Sequence, residues 1–288
     1  MAQQSSQFRT ILECLGILVI LYLLFGREEA GPSTSIPHAQ DHSDHDDLPL
    51  SQEKIESLVY PDPNLQCPPH AAEIHIFSTS PLIIYIPNFL SEEESQHLLS
   101  ISKDKWTAST IFNAGVEVTD STIRKSEKAM IERDQVVQCL ESRALSIQGW
   151  PADTFIERLW TQRYTGPDGH YAHHYDWASA SRTSRRVSTF MVYVSSNCSG
   201  GGTNFPLLAR PRDPRWCEWI DCSGADEGVT FLPRAGSAVF WENFDAEGRG
   251  WREGLHAGMP VREGTKVGLN IWSWYQKGHK VGEGRTEL

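Results

Sequence analysis

The chain has 288 residues, 39% of them hydrophobic and ten of them tryptophan, which is enough for one large domain with a full core and appended segments. The formal net charge is −11, and residues 27–62 hold nine Asp or Glu against two Lys or Arg, so most of the excess lies in that stretch. The rest of the chain is nearly balanced and carries no basic stripe or nucleic-acid motif, which argues against a DNA or RNA substrate.

The amino-terminal segment is apolar from Ile11 to Phe25 except for Glu13, and Arg9 precedes it. Its length is within the range of a signal-peptide core and short for a membrane span, but no small-x-small cleavage site follows Phe25. We therefore predict a short cytosolic tail (1–10) and an uncleaved signal anchor (11–26), with a cleaved signal peptide and a buried amphipathic helix as the alternatives. The anchor predicts a type II protein of the endoplasmic reticulum membrane whose remaining chain is lumenal.

Residues 27–62 are rich in Pro, Ser, Asp and His and poor in apolar side chains. Such a segment buries too little surface to offset the entropy of ordering, so we predict an acidic disordered stem. Its histidines His38, His42 and His45 could bind a metal, but a solvated tether is favoured. The folded domain is predicted to cover residues 63–288.

Within that domain, Leu82–Ile86 reads as a strand and residues 91–103 as a helix, because Ser91 and Glu94 match a capping box. A second helix is predicted over residues 132–147, ending before Pro151. The signals that follow are mostly short β runs separated by Gly and Pro. They predict an α+β, mainly β fold: a double-stranded β-helix, or jelly roll, backed by amino-terminal helices.

Cysteine usage is typical of an oxidising compartment. Cys14 lies in the apolar segment, which leaves an odd number in the domain: Cys67, Cys139, Cys198, Cys217 and Cys222. Cys217 and Cys222 bracket a short insert and could close a disulfide, with paired free thiols as the alternative. Asn197-Cys-Ser is a glycosylation sequon, which predicts that its loop faces solvent.

Two histidines and one aspartate are the strongest functional signal. His174 and Asp176 are two residues apart, and His256 lies 82 positions after His174. Residues i and i+2 of a strand project from the same face, so the first two can hold one ion while His173 points away. Two imidazoles and one carboxylate are the ligands of a non-haem Fe(II) site that keeps positions open for substrate and O2.

Ten residues after His256, Lys266 lies in an alternating run that reads as a strand, Pro260 to Trp272. A buried ammonium is costly unless it meets an anion, so the carboxylate of a ligand is a natural partner.

The order of these motifs resembles the prolyl 4-hydroxylase-like branch of the Fe(II) and 2-oxoglutarate-dependent dioxygenases over residues 82–276. The resemblance is carried by seven segments: Phe89-Leu-Ser-Glu-Glu-Glu, Ile123-Arg-Lys-Ser, residues 163–176, Arg186-Val-Ser-Thr-Phe-Met-Val-Tyr, Gly200-Gly-Gly-Thr-Asn-Phe-Pro, Pro233-Arg-Ala-Gly-Ser-Ala-Val-Phe-Trp and residues 256–272. It implies the same jelly-roll fold, with Fe(II) on His174, Asp176 and His256.

The same resemblance implies that Lys266 pairs with the distal carboxylate of 2-oxoglutarate and that Tyr164 contacts this cosubstrate. Thr189 is expected to donate its hydroxyl to the same carboxylate, and Tyr193 shares its strand face. For these three hydroxyls, half-buried strand residues bonded to backbone are the alternative. Trp272, at an even offset from Lys266, is expected to share its face and line the pocket.

We therefore interpret the chain as a membrane-anchored dioxygenase that uses Fe(II), 2-oxoglutarate and O2 to hydroxylate a polypeptide, with proline as the target that the resemblance implies. Ascorbate is expected as a further requirement. An oxygenase of a small molecule or another side chain, and a catalytically silent lumenal binding module, are the alternatives. The segment 177–185 could be a lid over the substrate, and Arg124 could face substrate or form a surface salt bridge.

Overall fold

The structure is a computed structural model that describes residues 52–113, 116–177, 181 and 183–280. The predicted tail, the predicted anchor and the larger part of the predicted stem lie outside these residues. Among the helices of the described part of the chain, none has the length and apolar character to cross a membrane.

The predicted stem is too long at its carboxyl-terminal end. Helix α1 spans Gln52–Ser57, and strand β1, Leu58–Val59, pairs with residues 156–157 of the domain. Leu58 is buried in a small apolar cluster with Phe155 and Trp274. The charged side chains of α1 hid this contact, because the apolar anchor Leu58 comes directly after them in the sequence.

Two longer helices lie close to the predicted positions. Helix α2 spans Glu92–Ser102, and Ser91 and Glu94 form the predicted capping box. Helix α3 spans Gln135–Ile147 and starts three residues later than predicted, because the side chain of Asp134 accepts from the backbone N–H of Val137 and caps the helix there.

The remaining strands follow in chain order. They are β2 (His75–Thr79), β3 (Leu82–Ile86), β4 (Thr107–Ala108), β5 (Ile111–Asn113), β6 (Val116–Val118), β7 (Arg124–Lys125), β8 (Glu127–Met130), β9 (Thr154–Glu157), β10 (Trp160–Thr165), β11 (Gly169–His174), β12 (Ser184–Gly200), β13 (Thr203–Phe205), β14 (Val229–Phe231), β15 (Ala238–Glu242) and β16 (His256–Gln276). Short 3-10 turns lie at Pro214–Glu218 and Arg252–Gly254.

Strand β16 belongs to both layers of the fold. Its second half pairs antiparallel with β10 and β12 in a sheet of order β2-β3-β15-β12-β16-β10-β8-β4. Its first half pairs with β11 and β13, and β13 pairs with β14. One long strand thus joins a large sheet to a smaller one, which confirms the predicted double-stranded β-helix.

The large sheet buries both of its faces, as the sequence of β12 illustrates. Phe190 and Val192 pack into the cluster that includes α2 and α3, whereas Met191 and Tyr193 pack into the cluster between the two sheets. This alternation follows from the period of two along a strand. The helices therefore cover the outside of the barrel, and the inner face is left to build the site.

Two disulfides lie in the described residues. Cys217 and Cys222 form the bond that their spacing suggested, and Cys67 is bonded to Cys139 on α3, a pairing that the sequence did not indicate. Cys198 is a free thiol.

Candidate active site

His174 and His256 face each other across the pairing of β11 and β16, where they are direct partners in register. Strand β11 ends at His174, so Asp176 lies just beyond it in a bend and not on the strand as predicted. The bend turns the carboxylate toward both imidazoles.

The three candidate ligands form a compact donor set. Nε2 of His174 lies 3.7 Å from Oδ1 of Asp176, and Nε2 of His256 lies 3.8 Å from Oδ2. Nδ1 of His174 donates to the carbonyl of Ala172 at 2.8 Å, and Nδ1 of His256 donates to the carbonyl of Gly254 at 3.0 Å. Because carbonyls only accept, Nδ1 carries a hydrogen in each ring, and Nε2 is the nitrogen available to a metal. Two imidazole nitrogens and one carboxylate therefore fit a divalent ion such as Fe(II).

The charge states of this donor set suit a cation. Burial, reinforced by the neighbouring His256, lowers the pKa of His174 to about 3, so its imidazole is neutral at physiological pH. Burial alone would raise the pKa of Asp176, but the neighbouring His256 and Arg186 outweigh it and hold the pKa at about 2. The Asp176 carboxylate thus presents a negative charge to a bound ion.

The Asp176 carboxylate is oriented by two donors. Thr189 donates to Oδ2 at 2.9 Å, and the indole N–H of Trp272 donates to the same oxygen at 3.1 Å. Behind Thr189, the side-chain amide of buried Asn243 donates to its hydroxyl oxygen at 3.2 Å. Such partners fix the direction of a metal ligand and raise its affinity.

These contacts correct the role predicted for Thr189. Its one hydroxyl proton is engaged with Asp176 and is not directed at the carboxylate expected to pair with Lys266. Trp272 lines the site, but at the metal-ligand end: six residues of strand place its backbone about 20 Å from that of Lys266. An even offset predicts that two side chains share a face of a strand, but not that they lie close together.

Around the histidines, aromatic rings fix the imidazole planes. Tyr171 stacks on His174 with ring centroids 3.6 Å apart, and Trp241 lies 4.6 Å from His256. Arg124 lies over the Tyr171 ring at 4.4 Å and donates to Ser126 and to the carbonyl of Thr110. It therefore supports the His174 side of the site, and it forms no salt bridge within the described part of the chain.

Lys266 lies on β16, ten residues after His256, and is only 1% exposed. Its Nζ donates to the carbonyl of Gly201 at 2.7 Å and lies 4.6 Å from the centroid of the Tyr164 ring, its neighbour across the strand pair. Burial lowers the pKa of Lys266 to about 8. Among the described residues no carboxylate lies within salt-bridge distance of this ammonium, so it is suited to pairing with the carboxylate of a bound ligand.

Two hydroxyl-bearing residues near this lysine are hydrogen-bonded to each other. The Lys266 ammonium is 6.0 Å from the ring of Tyr193, whose hydroxyl donates to Thr203 at 2.7 Å. Thr203 pairs in register with Gly258, and a Cβ on that glycine would lie 3.9 Å from the lysine Nζ. We did not assign Thr203 from the sequence, although it follows the three glycines of a motif already noted.

The turn before Thr203 requires glycine. Gly200 and Gly201 have φ values of 74° and 73°, and a Cβ on Gly200 would lie 2.4 Å from the carbonyl oxygen of Pro260. This turn aims the Gly201 carbonyl at Lys266. His173 points away from the metal ligands, as predicted, and donates to the side chain of Asn204.

Arg186 is a further residue that sequence reasoning left without a role. Its Nη1 donates to the backbone carbonyl of Asp176 at 2.8 Å, and its Nε and Nη2 form a bidentate pair with Glu157. The guanidinium also lies over the Trp272 ring at 3.9 Å. Arg186 begins one of the segments that carry the family resemblance, but nothing near it in the sequence indicates that its partner is Glu157 in β9.

The family described as the 2OG-Fe(II) oxygenase superfamily matches residues 159–274, a range that contains the three metal-ligand candidates and Lys266. The chain carries a 2OG-Fe(II) oxygenase domain.

Curated relatives of this oxygenase domain are prolyl 4-hydroxylases. Prolyl 4-hydroxylase 5 of Arabidopsis thaliana is 27% identical over 206 residues, which cover 69% of this chain and 70% of that protein. Prolyl 4-hydroxylase subunit alpha-2 of Gallus gallus is 29% identical over 220 residues, covering 73% of this chain but only 37% of the subunit. The chain is thus similar to prolyl 4-hydroxylases over about two thirds of its length.

Among solved structures, the chain is similar to the viral collagen prolyl hydroxylase of Paramecium Bursaria Chlorella virus-1 in its 2OG complex. The two share 23% identity with a TM-score of 0.47, and the match covers 67% of this chain and 95% of the viral enzyme.

Proposed function

We propose that this protein hydroxylates proline residues of a polypeptide at the 4-position, using Fe(II), 2-oxoglutarate and O2. The single observation that carries the proposal is the pairing of two features in one site. One is a donor set of two histidines and one aspartate, and the other is the buried ammonium of Lys266, which has no carboxylate partner among the described residues. An α-keto dicarboxylate has a metal-chelating end and a distal carboxylate, which match these two features.

The chain's own residues bind and orient in this account. His174, Asp176 and His256 would hold Fe(II), and Lys266 would pair with the distal carboxylate of 2-oxoglutarate. The loaded centre supplies the oxidant that replaces a C–H hydrogen by hydroxyl, with succinate and CO2 as the other products. The rings of Trp241, Phe205 and Tyr171 lie against the two imidazoles and would limit the access of water to that chemistry.

Proline as the target rests on the curated relatives, which are prolyl 4-hydroxylases, and on the polypeptide substrates that this name denotes. An oxygenase acting on a small molecule or another side chain is the second candidate, because the metal-ligand candidates and Lys266 bear on the cosubstrate and not on the target. A silent binding module is disfavoured, since every predicted metal ligand is present and correctly oriented.

We also propose that the domain works in the lumen of the endoplasmic reticulum, attached by residues 11–26, and that ascorbate supports repeated turnover. The two disulfides are consistent with an oxidising compartment. Asn197 is exposed on β12, as a glycosylated residue must be.

The experiment is a peptide-library assay under Fe(II), 2-oxoglutarate and O2, with succinate and peptide mass as the two readouts. Hydroxylated proline with equimolar succinate supports the proposal. Succinate formed only with a non-peptide substrate, or with oxygen inserted at another side chain, would support the second candidate. Absence of succinate under all conditions would overturn enzymatic activity itself.

A further inference from the structure

An ion pair joins the amino-terminal helix α1 to the residues behind the metal-ligand candidates. Nζ of Lys54 lies 2.6 Å from Oε2 of Glu157 and 3.9 Å from the centroid of the Trp274 ring. Lys54 lies outside the residues that match the oxygenase family. Helix α1 was predicted to be part of a disordered stem, but Lys54 contacts Glu157 and Trp274 of the domain.

Charges of alternating sign run from this lysine to Asp176. Lys54 contacts Glu157, Glu157 is the bidentate partner of Arg186, and Arg186 donates to the backbone carbonyl of Asp176. Nη1 of Arg186 also lies 3.8 Å from Oδ1 of Asp176. Burial alone would raise the pKa of Glu157, but Arg186 and then Lys54 outweigh it and hold the pKa below its usual range, so Glu157 is ionised.

The backbone holds Lys54 in place. The N–H of Arg158 donates to the carbonyl of Ser57 at 2.9 Å, and Leu58 pairs in register with Glu157 itself. Leu58 packs against Phe155 and Trp274, the residue whose ring lies under the Lys54 ammonium. The pairing of residues 57–58 with residues 157–158 and the packing of Leu58 thus hold Lys54 next to Glu157.

We propose that Lys54 is a positioning residue for the metal ligand Asp176, acting through Glu157 and Arg186; the proposal rests on the metal centre argued above. Glu157 is buried and receives both cations, Arg186 on one side and Lys54 on the other. Without Lys54, the Glu157 carboxylate loses one of its two cationic partners, and its position is set by Arg186 alone. Arg186 follows Glu157, and its hydrogen bond to the Asp176 carbonyl is lost or lengthened.

The test compares Lys54→Gln and Lys54→Arg in the full chain. The control is Lys105→Gln, which makes the same substitution in a surface ion pair with Glu132, away from the metal ligands. Affinity for Mn(II), a redox-stable probe, is measured without O2 by electron paramagnetic resonance of the free ion. The KM for 2-oxoglutarate, the kcat of succinate formation and the Tm are measured in parallel.

We expect Lys54→Gln to weaken Mn(II) affinity by about three- to ten-fold, below the effect of a direct partner of a metal ligand because Lys54 acts two residues further out. kcat should fall with it, while the KM for 2-oxoglutarate stays unchanged because Lys266 is untouched. Lys54→Arg should restore most of the affinity, and Lys105→Gln should match the wild type.

Unchanged Mn(II) affinity in Lys54→Gln would overturn the positioning role and leave the proposed function intact. Equal losses in Lys54→Gln and Lys54→Arg, accompanied by the same fall in Tm, would reduce Lys54 to a structural residue and would also overturn it. If the wild-type protein bound no Mn(II), the metal centre and the positioning role would both be wrong.

Discussion

Trp272 donates its indole hydrogen to Oδ2 of Asp176 from β16, the strand that also carries His256 and Lys266. One strand therefore holds a metal-ligand candidate, the donor that orients a second ligand and the candidate anchor of the cosubstrate. A shift of β16 by one residue would turn all three side chains to the opposite face. The site is thus tied to the register of β16 with β12, which extends over most of both strands.

Thr189 is expected to tune metal affinity and not cosubstrate binding. Thr189→Val keeps the shape but removes the hydroxyl that donates to Asp176, so metal affinity should fall by about 10- to 100-fold. The KM for 2-oxoglutarate should remain near the wild-type value. Isothermal titration with Mn(II) and steady-state kinetics measure the two quantities separately.

Thr161→Val is the matched control, because Thr161 is also a buried strand threonine and its hydroxyl contacts Ser102, away from the metal ligands. A rise in the KM for 2-oxoglutarate in Thr189→Val, with unchanged metal affinity, would restore the role first predicted from the sequence.

Lys266→Ala should raise the KM for 2-oxoglutarate by about 30-fold or more, since losing a buried charge-assisted pair costs roughly 2 kcal/mol at least. Mn(II) affinity in the absence of the cosubstrate should be unaffected. An unchanged KM would exclude this lysine as the carboxylate anchor.

The pH dependence of cosubstrate binding follows from the same side chain. The pKa of Lys266 is about 8, so its ammonium is present below that pH and is lost as the pH rises through it. Binding of a carboxylate requires the charged form, so 2-oxoglutarate affinity should decline above about pH 8. Lys266→Arg should show a flat profile there because guanidinium stays charged. A decline of equal size in Lys266→Arg would assign it to another group.

The two disulfides should contribute unequally to stability. Cys67 and Cys139 are 72 residues apart and Cys217 and Cys222 are 5 apart. The reduced entropy of the unfolded chain predicts that the first bond contributes about 4 kcal/mol to the free energy of unfolding and the second about 2 kcal/mol. Denaturant unfolding of the two double Cys→Ser variants measures both. Equal losses would contradict the loop-length argument.

Asn197 serves as a reporter of compartment. A lumenal domain should carry a glycan there, visible as an endoglycosidase-sensitive mobility shift that Asn197→Gln removes. The same protein should resist carbonate extraction and retain its Met1-proximal peptide. A soluble form that begins after residue 26 would instead establish a cleaved signal peptide.

How much the sequence could predict depended on whether the signal was local. The capping pair Ser91 and Glu94 fixed the start of α2, and the apolar run Leu82–Ile86 has the bounds observed for β3. The bend that carries Asp176 and the partner of Thr189 were missed, because spacing gives a face of a strand but not where the strand ends.

Contacts between distant segments had no sequence signal at all. The Cys67–Cys139 bond and the contact of Lys54 with Glu157 each join residues far apart in the chain. Both depend on the path of residues 52–74 over the domain. The acidic composition before residue 62 concealed that path, because such a composition predicts disorder. Burial of Leu58 stabilises the segment only when Phe155 and Trp274 pack against it.

The most direct test of the central claim is the stoichiometry of succinate and hydroxyproline on a proline-containing peptide, measured by mass spectrometry with Fe(II), 2-oxoglutarate and O2. The account predicts one hydroxyproline per succinate with the wild-type protein, and neither product with His174→Ala, Asp176→Ala or His256→Ala, each folded by circular dichroism. Near-normal 2-oxoglutarate turnover in all three variants would contradict it.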